Sequence, residues 1–133
     1  MKLVIIESPF AASSTHTVEE HIKYARLCVK DSLSRGEAPI ASHLLYTQEG
    51  ILDDTIPAER KQGMDAGLAW RVAAKCSVVY TDMGITKGMK DGIKAALDSG
   101  NFVEYRKLFK SHNTVNDKAV LSGQCKYSAK GNK

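Results

Sequence analysis

Four short apolar runs alternate with longer segments of helical periodicity along most of the chain. The runs cover residues 3–6, 38–45, 76–81 and 102–105. Short continuous apolar runs are typical of strands that are buried on both faces, and strands separated by crossover helices pair in parallel. The alternation therefore predicts an α/β domain in which helices cover both faces of a parallel sheet.

The segments between the runs carry the start and stop signals of helices. Thr17 and Glu20 form a capping box, and Gly36 is a typical helix stop. Pro57 is favoured in the first turn of a second helix, which we expect to reach about Lys75. The residues expected to face the core are Val18, Ile22, Ala25, Val29 and Leu33 in the first helix, Met64, Leu68 and Val72 in the second, and Met89, Ile93 and Leu97 in the third.

Composition is that of an ordinary single-domain globular protein. Of the 133 residues, 43% are hydrophobic and 26% are charged. No apolar run approaches the roughly 18 residues of a membrane span, and the first run is too short for a signal peptide, so we expect a cytoplasmic protein. The three cysteines form no CxxC motif, so we predict no metal site. We also predict no cofactor.

Charge is distributed unevenly along the chain. From Arg106 onward there are seven basic residues and one acid, whereas the preceding residues contain 12 basic and 14 acidic side chains. We therefore divide the chain into an α/β domain, residues 1–108, and a basic C-terminal tail, residues 109–133. A basic tail is typical of a solvated chain end or of a nucleic-acid contact, but no aromatic residues are interleaved for base stacking.

The loop at residues 80–89, YTDMGITKGM, joins the third strand to the third helix. The unpaired amides at the start of a helix, together with the helix dipole, favour an anion or a polar sugar. The candidate binding residues of this loop are Gly84, Thr86, Lys87, Gly88 and Met89.

Two further segments should meet this loop, because ligands of open α/β sheets bind beyond the carboxyl ends of the strands. The candidate binding residues in these segments are Ser8, Pro9, Phe10, His43 and Tyr46. Phe10 and Tyr46 could stack on a base or be ordinary loop aromatics. His43 could be an acid catalyst or a hydrogen-bonded structural residue. Arg60 could pair with Glu59 or face a phosphate across the site.

Several motifs occur in an order that resembles the small phage and bacterial proteins related to nucleoside 2-deoxyribosyltransferases. The resemblance covers roughly residues 3–108 and implies a flavodoxin-like or Rossmann-like three-layer sandwich with a parallel sheet of four or five strands. It also implies a nucleoside or nucleotide ligand and a homo-oligomer. The motifs are VIIESPF at 4–10, ASHLL at 41–45, Arg60 and Gly63 ahead of GLAW at 67–70, and DxGxTxGM at 82–89.

The chemistry implied by this resemblance is cleavage of an N-glycosidic bond by a carboxylate that takes the sugar or activates water. In those enzymes the carboxylate is a Glu on the helix after the glycine-containing loop. In this sequence Gly92 matches that position, or Lys90 if the alignment of the helix is shifted by two residues, and neither is a carboxylate. The remaining catalytic candidates are Glu7 and Asp82. Glu7 could instead pair with a loop lysine, and Asp82 could instead cap its own loop.

Three hypotheses of function follow. The first is a protein that binds a nucleotide or nucleoside derivative and sequesters or senses it, for instance in conflict between a virus and its bacterial host. The second is an enzyme, an N-glycosidase or deoxyribosyltransferase that uses Glu7 or Asp82. The third is a nucleic-acid-binding module that uses the basic tail, and it is disfavoured.

Overall fold

The computed structural model describes residues 1–109, so the predicted tail lies almost entirely outside the described residues. None of the helices in this part of the chain is both long enough and apolar enough to cross a membrane. The elements, in chain order, are β1 (Lys2–Glu7), α1 (Val18–Ser34), β2 (Glu37–Ile40), α2 (Ser42–Leu45), α3 (Pro57–Ala69), a 3₁₀ turn (Trp70–Val72), β3 (Cys76–Tyr80), α4 (Lys87–Asp98) and β4 (Phe102–Arg106).

The four strands form one parallel sheet in the order β2-β1-β3-β4. The chain leaves β1 toward β2 on one side and returns to β3 on the other, so the strand order reverses between β1 and β3. The α/β fold and the parallel sheet are as predicted. In folds of this kind, the crevice at the carboxyl end of such a reversal is the usual ligand position.

The two faces of the sheet bury different sets of side chains, as the two-residue period of a strand requires. On one face, apolar residues of β1 and β3 pack against α1, and on the other β3 and β4 pack against α4. The first cluster includes Val4, Ile6, Val78, Tyr80, Tyr24 and Cys28, and the second includes Val79, Val103, Met89 and Ala96. The predicted three-layer arrangement is therefore confirmed.

Local signals in the sequence account for the ends of the helices. The Thr17 hydroxyl accepts from the Glu20 amide at 3.1 Å, and Glu20 accepts from the Thr17 amide at 3.1 Å, which confirms the capping box. Gly36 and Gly100, which follow α1 and α4, have φ values of +78° and +74°. Glycine adopts this left-handed conformation without steric cost.

The predicted strand at residues 38–45 is wrong in its second half. The strand ends at Ile40, and Ser42–Leu45 is a short helix whose amides bond to the carbonyls of Ala41 and Ser42. β2 is an edge strand that pairs with β1 alone, so only one neighbour holds it extended. The apolar residues after Ile40 resemble a strand in composition, but they form a short helix beside α3, from which Ala41 and Leu44 pack against the core between the sheet and α1.

The predicted buried faces of the helices are correct only in part. In α3 the predicted inward residues are exposed: Met64 and Leu68 are each 38% exposed, and Val72 is 80% exposed. In α1 and α4, Leu33 and Leu97 also face solvent, although Ala25 and Met89 are buried as expected. The buried face of α1 instead includes polar side chains, because His21, Tyr24 and Ser32 make hydrogen bonds inside the protein.

A buried ion pair joins the two edges of the sheet. Both terminal nitrogens of Arg106, at the end of β4, donate to the Glu37 carboxylate of β2 at 2.7 Å. Ser32 donates to the same carboxylate at 2.8 Å, and Lys2 lies 3.6 Å away. Burial opposes ionisation, but the hydrogen bonds from Arg106 and Ser32 outweigh it and lower the pKa of Glu37 to about 2.

Replacing Arg106 should destabilise the fold strongly. Arg106→Ala should lower the free energy of unfolding by about 3–5 kcal/mol, because the Glu37 carboxylate remains buried without its principal partner. Urea denaturation at neutral pH measures this. In the exposed Lys61–Asp65 pair, Lys61→Ala should change stability by no more than about 0.5 kcal/mol. Equal effects of the two variants would contradict a structural role for the buried pair.

Candidate functional site

A cavity of about 390 Å³ opens at the carboxyl edge of the sheet, at the reversal between β1 and β3. Its wall comes from the end of β1 and the loop after it, from α2 and α3, from the 3₁₀ turn, and from the first turns of α4. The size is within the range of small-molecule sites. Among residues 1–109, no group of three or more His, Cys, Asp or Glu side chains is arranged to hold a metal ion.

The cavity brings together most of the residues that the sequence singled out. Those lining it are Glu7, Ser8, Phe10, His43, Tyr46, Thr86, Lys87, Gly88 and Met89. Pro9, Asp82 and Gly84 do not line it. Three segments that are distant in sequence therefore meet at one place, as the carboxyl-edge argument expects.

Glu7, at the end of β1, is one of the acids that line this cavity. Its Oε1 accepts from Arg71 Nη2 at 3.1 Å, and the two side chains are 16% and 6% exposed. The partner is thus an arginine of the 3₁₀ turn and not a loop lysine. Within residues 1–109, Oε2 of Glu7 accepts no hydrogen bond. One carboxylate oxygen is held and the other is free.

Burial raises the pKa of the Glu7 carboxyl to about 7, and the charge and hydrogen bond of Arg71 oppose this rise without cancelling it. A single contact at 3.1 Å does not repay the loss of solvation. Glu7 can therefore both accept and release a proton near neutral pH, as a general acid or base must.

Ser8 and His43 form a hydrogen-bonded pair beside Glu7. Ser8 Oγ lies 2.7 Å from His43 Nε2, and Ser8 is buried. Burial lowers the pKa of His43 to about 4, so the imidazole is neutral at pH 7. The Phe10 ring meets the His43 ring edge-on, with centroids 6.3 Å apart. This part of the wall is uncharged and partly aromatic.

The start of α4 forms the opposite wall. Thr86 caps the helix by accepting from the Met89 amide at 3.3 Å.

Arg60, from α3, pairs with Asp54 at 2.7 Å. Pairing of Arg60 with Glu59, one of the two expected arrangements, is therefore not observed. A methyl group built on Gly88 would lie 3.8 Å from Arg60 Nη2, its nearest neighbour, so packing does not require glycine at this position.

Asp82 has structural partners outside the cavity. Its Oδ2 accepts from the Tyr24 hydroxyl at 2.6 Å and from the Leu108 amide at 2.9 Å, and its Oδ1 accepts from the Phe109 amide at 3.1 Å. These bonds join α1 to the chain that follows β4. Both carboxylate oxygens of Asp82, the second catalytic candidate from the sequence, therefore already accept hydrogen bonds.

Arg71 is the cavity residue that the sequence analysis missed. It is the single charged residue in the run Leu68–Ala74, LAWRVAA, and that isolation is the available signal. The turn is held in place by the buried Asn101, whose Nδ2 donates to the carbonyls of Arg71 and Ala74 at 3.3 Å each. Trp70, which precedes Arg71, is 43% exposed and donates to the Tyr46 hydroxyl at 2.9 Å.

Comparison with known proteins places the chain in a family and shows a similar fold. A family model described as a domain of unknown function, DUF7768, matches residues 2–106. A solved structure, a 2-deoxyribosyltransferase from the psychrotolerant bacterium Bacillus psychrosaccharolyticus, is similar with a TM-score of 0.56 and 14% identity. The similarity covers 90% of this chain and 82% of that chain, and it shows a shared fold. No curated protein matches the sequence.

The raised pKa of Glu7 predicts an unusual dependence of stability on pH. Between pH 4.5, its ordinary pKa, and about 7, the folded protein keeps a proton that the unfolded chain has released. The contribution of Glu7 to the free energy of unfolding therefore falls as pH rises through this window. His43 contributes with the opposite sign between about 4 and 6.5, because its pKa is lowered on folding.

Comparison of the wild type with Glu7→Gln isolates the contribution of Glu7 to the pH dependence of stability, because His43 is common to both proteins. The variant should gain stability relative to the wild type as the pH rises from 4.5 to 8, measured by urea denaturation at each pH. Parallel stability profiles of the two proteins would show that Glu7 titrates normally.

Proposed function

The chain belongs to the DUF7768 family, and we propose that it binds a nucleoside-type ligand, a base joined to a sugar, in the cavity at the carboxyl edge of the sheet. The observation that carries this proposal is the position of Glu7. A carboxylate with one oxygen held by Arg71 and the other free lies at the reversal of strand order, where folds of this type bind ligands.

Residues in the cavity wall can contact both the sugar and the base of such a ligand. A sugar hydroxyl can donate to the free oxygen of Glu7, and a carboxylate is a strong acceptor for such a group. Phe10 and Tyr46 line the cavity and offer aromatic surface to a base. The similar solved structure is described as a biocatalyst for nucleoside synthesis, which agrees with this class of ligand.

The pairing of charges favours an uncharged nucleoside over a nucleotide. Each cation among the described lining residues already has an acidic partner: Arg71 pairs with Glu7, Arg60 with Asp54, and Lys87 with Asp91 at 3.7 Å. Glu59 also lines the cavity, so acids outnumber bases there. A phosphate that approached Arg71 or Arg60 would have to compete with an existing ion pair for its counter-charge.

A second candidate function is hydrolysis of the N-glycosidic bond, and the pKa of Glu7 favours it. The ionised carboxylate would accept a proton from a water molecule whose oxygen attacks the anomeric carbon. The bond from that carbon to the base nitrogen breaks, and its electron pair stays on the nitrogen. Glu7 then returns the proton to the departing base. A group that ionises near neutral pH suits both steps.

The expected homo-oligomer and the nucleic-acid hypothesis stay predictions. Met64, Leu68 and Val72 are partly or largely exposed apolar residues of α3 and the 3₁₀ turn, the first two at the cavity wall, and such a surface suits a contact with a second copy. Sequestering or sensing of this ligand, for instance in conflict between a virus and its bacterial host, is the use we propose if the ligand is bound but not cleaved.

Titration calorimetry with the common nucleosides and their 5′-monophosphates tests the binding proposal. At least one nucleoside should bind, and its monophosphate should bind about tenfold more weakly, a loss of about 1.4 kcal/mol.

The Gly88→Asp variant should no longer bind the nucleoside, because the new side chain fills the cavity. The fold should survive at a cost of no more than about 1 kcal/mol, since a Cβ at this position meets nothing closer than 3.8 Å.

Lys90→Ala is the matched control for Gly88→Asp. It changes the net charge by the same amount on the same helix, but Lys90 is exposed and does not line the cavity. Nucleoside affinity should therefore be unchanged. Unchanged affinity in a well-folded Gly88→Asp variant would remove the site from this cavity.

Chromatographic detection of free base tests the second candidate. Wild-type protein should release base from the nucleoside that it binds, and Glu7→Gln should slow release at least about 100-fold while retaining the nucleoside. Asp82→Asn should release base at the wild-type rate per folded molecule, because Asp82 lies outside the cavity. If the wild type leaves every nucleoside intact over hours, the reaction is excluded and binding alone remains.

A further inference from the structure

The Glu7 carboxylate occupies the space that a Cβ of Gly92, in the middle of α4, would fill. A methyl group built on Gly92 would lie 2.7 Å from the carboxyl carbon of Glu7 and 2.8 Å from Oε2, and Oε1 would be closer still. Side chains in proteins do not pack at such distances. Any residue other than glycine at position 92 must therefore displace the carboxylate.

The backbone itself does not require glycine at this position. Gly92 is helical, and it is not among the glycines with positive φ. A glycine inside a helix weakens the helix relative to alanine, because it loses more conformational freedom on folding. At the point where Glu7 approaches it, α4 therefore carries glycine, a residue that is unfavourable inside a helix.

Arg71 binds the carboxylate and the helix with a single nitrogen. Its Nη2 donates to Glu7 Oε1 at 3.1 Å and to the Gly92 carbonyl at 2.7 Å. The carboxylate is thus bonded to the guanidinium on one side and, on another, fills the space that a Cβ at position 92 would need. The oxygen without a hydrogen bond, Oε2, belongs to a side chain that lines the cavity.

We infer that Gly92 and Arg71 are positioning residues that hold Glu7 so that Oε2 meets the sugar of the ligand. This inference rests on the proposed nucleoside function for the identity of the ligand. The positioning itself can be measured without any ligand.

A double-mutant cycle in thermal stability tests the contact. Gly92→Ala should lower the melting temperature of the wild type, because the new methyl group displaces Glu7. In a Glu7→Ala background, the same change should raise the melting temperature, because the clash is gone and alanine favours the helix. The effect of Gly88→Ala, whose Cβ would make only an ordinary contact with Arg60 Nη2 at 3.8 Å, should not reverse in sign between the two backgrounds.

The cycle remains decisive if Gly92→Ala does not fold. Folding of Glu7→Ala/Gly92→Ala would then support the inference, since removing the carboxylate would have rescued the helix. Failure of the double variant to fold would overturn it, as would a gain in melting temperature for Gly92→Ala alone.

The carboxyl group of Glu7 gives a readout that a purely structural role would not change. With glutamate labelled at the side-chain carboxyl carbon, NMR titration should show the pKa of Glu7 falling by at least one unit in Gly92→Ala, because the displaced carboxylate gains water. An unchanged pKa in the folded variant would contradict the inference.

Binding of 2′-deoxyadenosine and 2′-deoxycytidine separates this inference from the proposed function. Each nucleoside that binds the wild type should bind Gly92→Ala at least tenfold more weakly. Equal affinities would overturn the positioning of Glu7 toward the ligand. A third outcome is that the effect of Gly92→Ala on melting temperature changes sign in the Glu7→Ala background, as expected, but neither nucleoside binds the wild type. This outcome would overturn the proposed ligand, while the contact between Glu7 and Gly92 would stand.

Discussion

One guanidinium nitrogen of Arg71 ties together the parts of the molecule that form the cavity. It bonds to Glu7 at the end of β1 and to the Gly92 carbonyl in α4, and Asn101 at the start of β4 holds the turn that carries it. The sheet, the turn after α3 and the last helix are thus fixed relative to one carboxylate. The cavity is an outcome of this arrangement, since the elements around Glu7 meet at its side chain and leave space beyond it.

Two of the buried glutamates that pair with an arginine within residues 1–109, Glu37 and Glu7, have opposite electrostatic outcomes. Glu37 receives two hydrogen bonds from Arg106 and one from Ser32, and its pKa falls to about 2. Glu7 receives one bond from Arg71, and burial raises its pKa to about 7. The number of donors decides which effect dominates. The fully bonded pair is suited to a structural role, and the incompletely bonded one retains a free oxygen for chemistry.

Much of the fold could be predicted from sequence because its signals are local. Apolar runs marked all four strands, and the capping box at Thr17 marked the start of α1. The carboxyl-edge rule brought Glu7 and His43 to one cavity from topology alone. The errors arose where distant contacts decide the outcome. Residues 42–45 became a helix beside α3, and Arg71 reached Glu7 from 64 residues away, which no spacing within the sequence indicates.

The free oxygen of Glu7 is proposed to face the sugar of a bound nucleoside. A crystal structure of Glu7→Gln with a bound nucleoside measures this directly, because the neutral amide preserves the shape of the group while removing its proton chemistry. We expect the anomeric carbon to lie within about 3.5 Å of the side-chain atom that replaces Oε2, or one water molecule farther away. A nucleoside bound with its sugar turned away from residue 7, or bound outside the cavity, would contradict it.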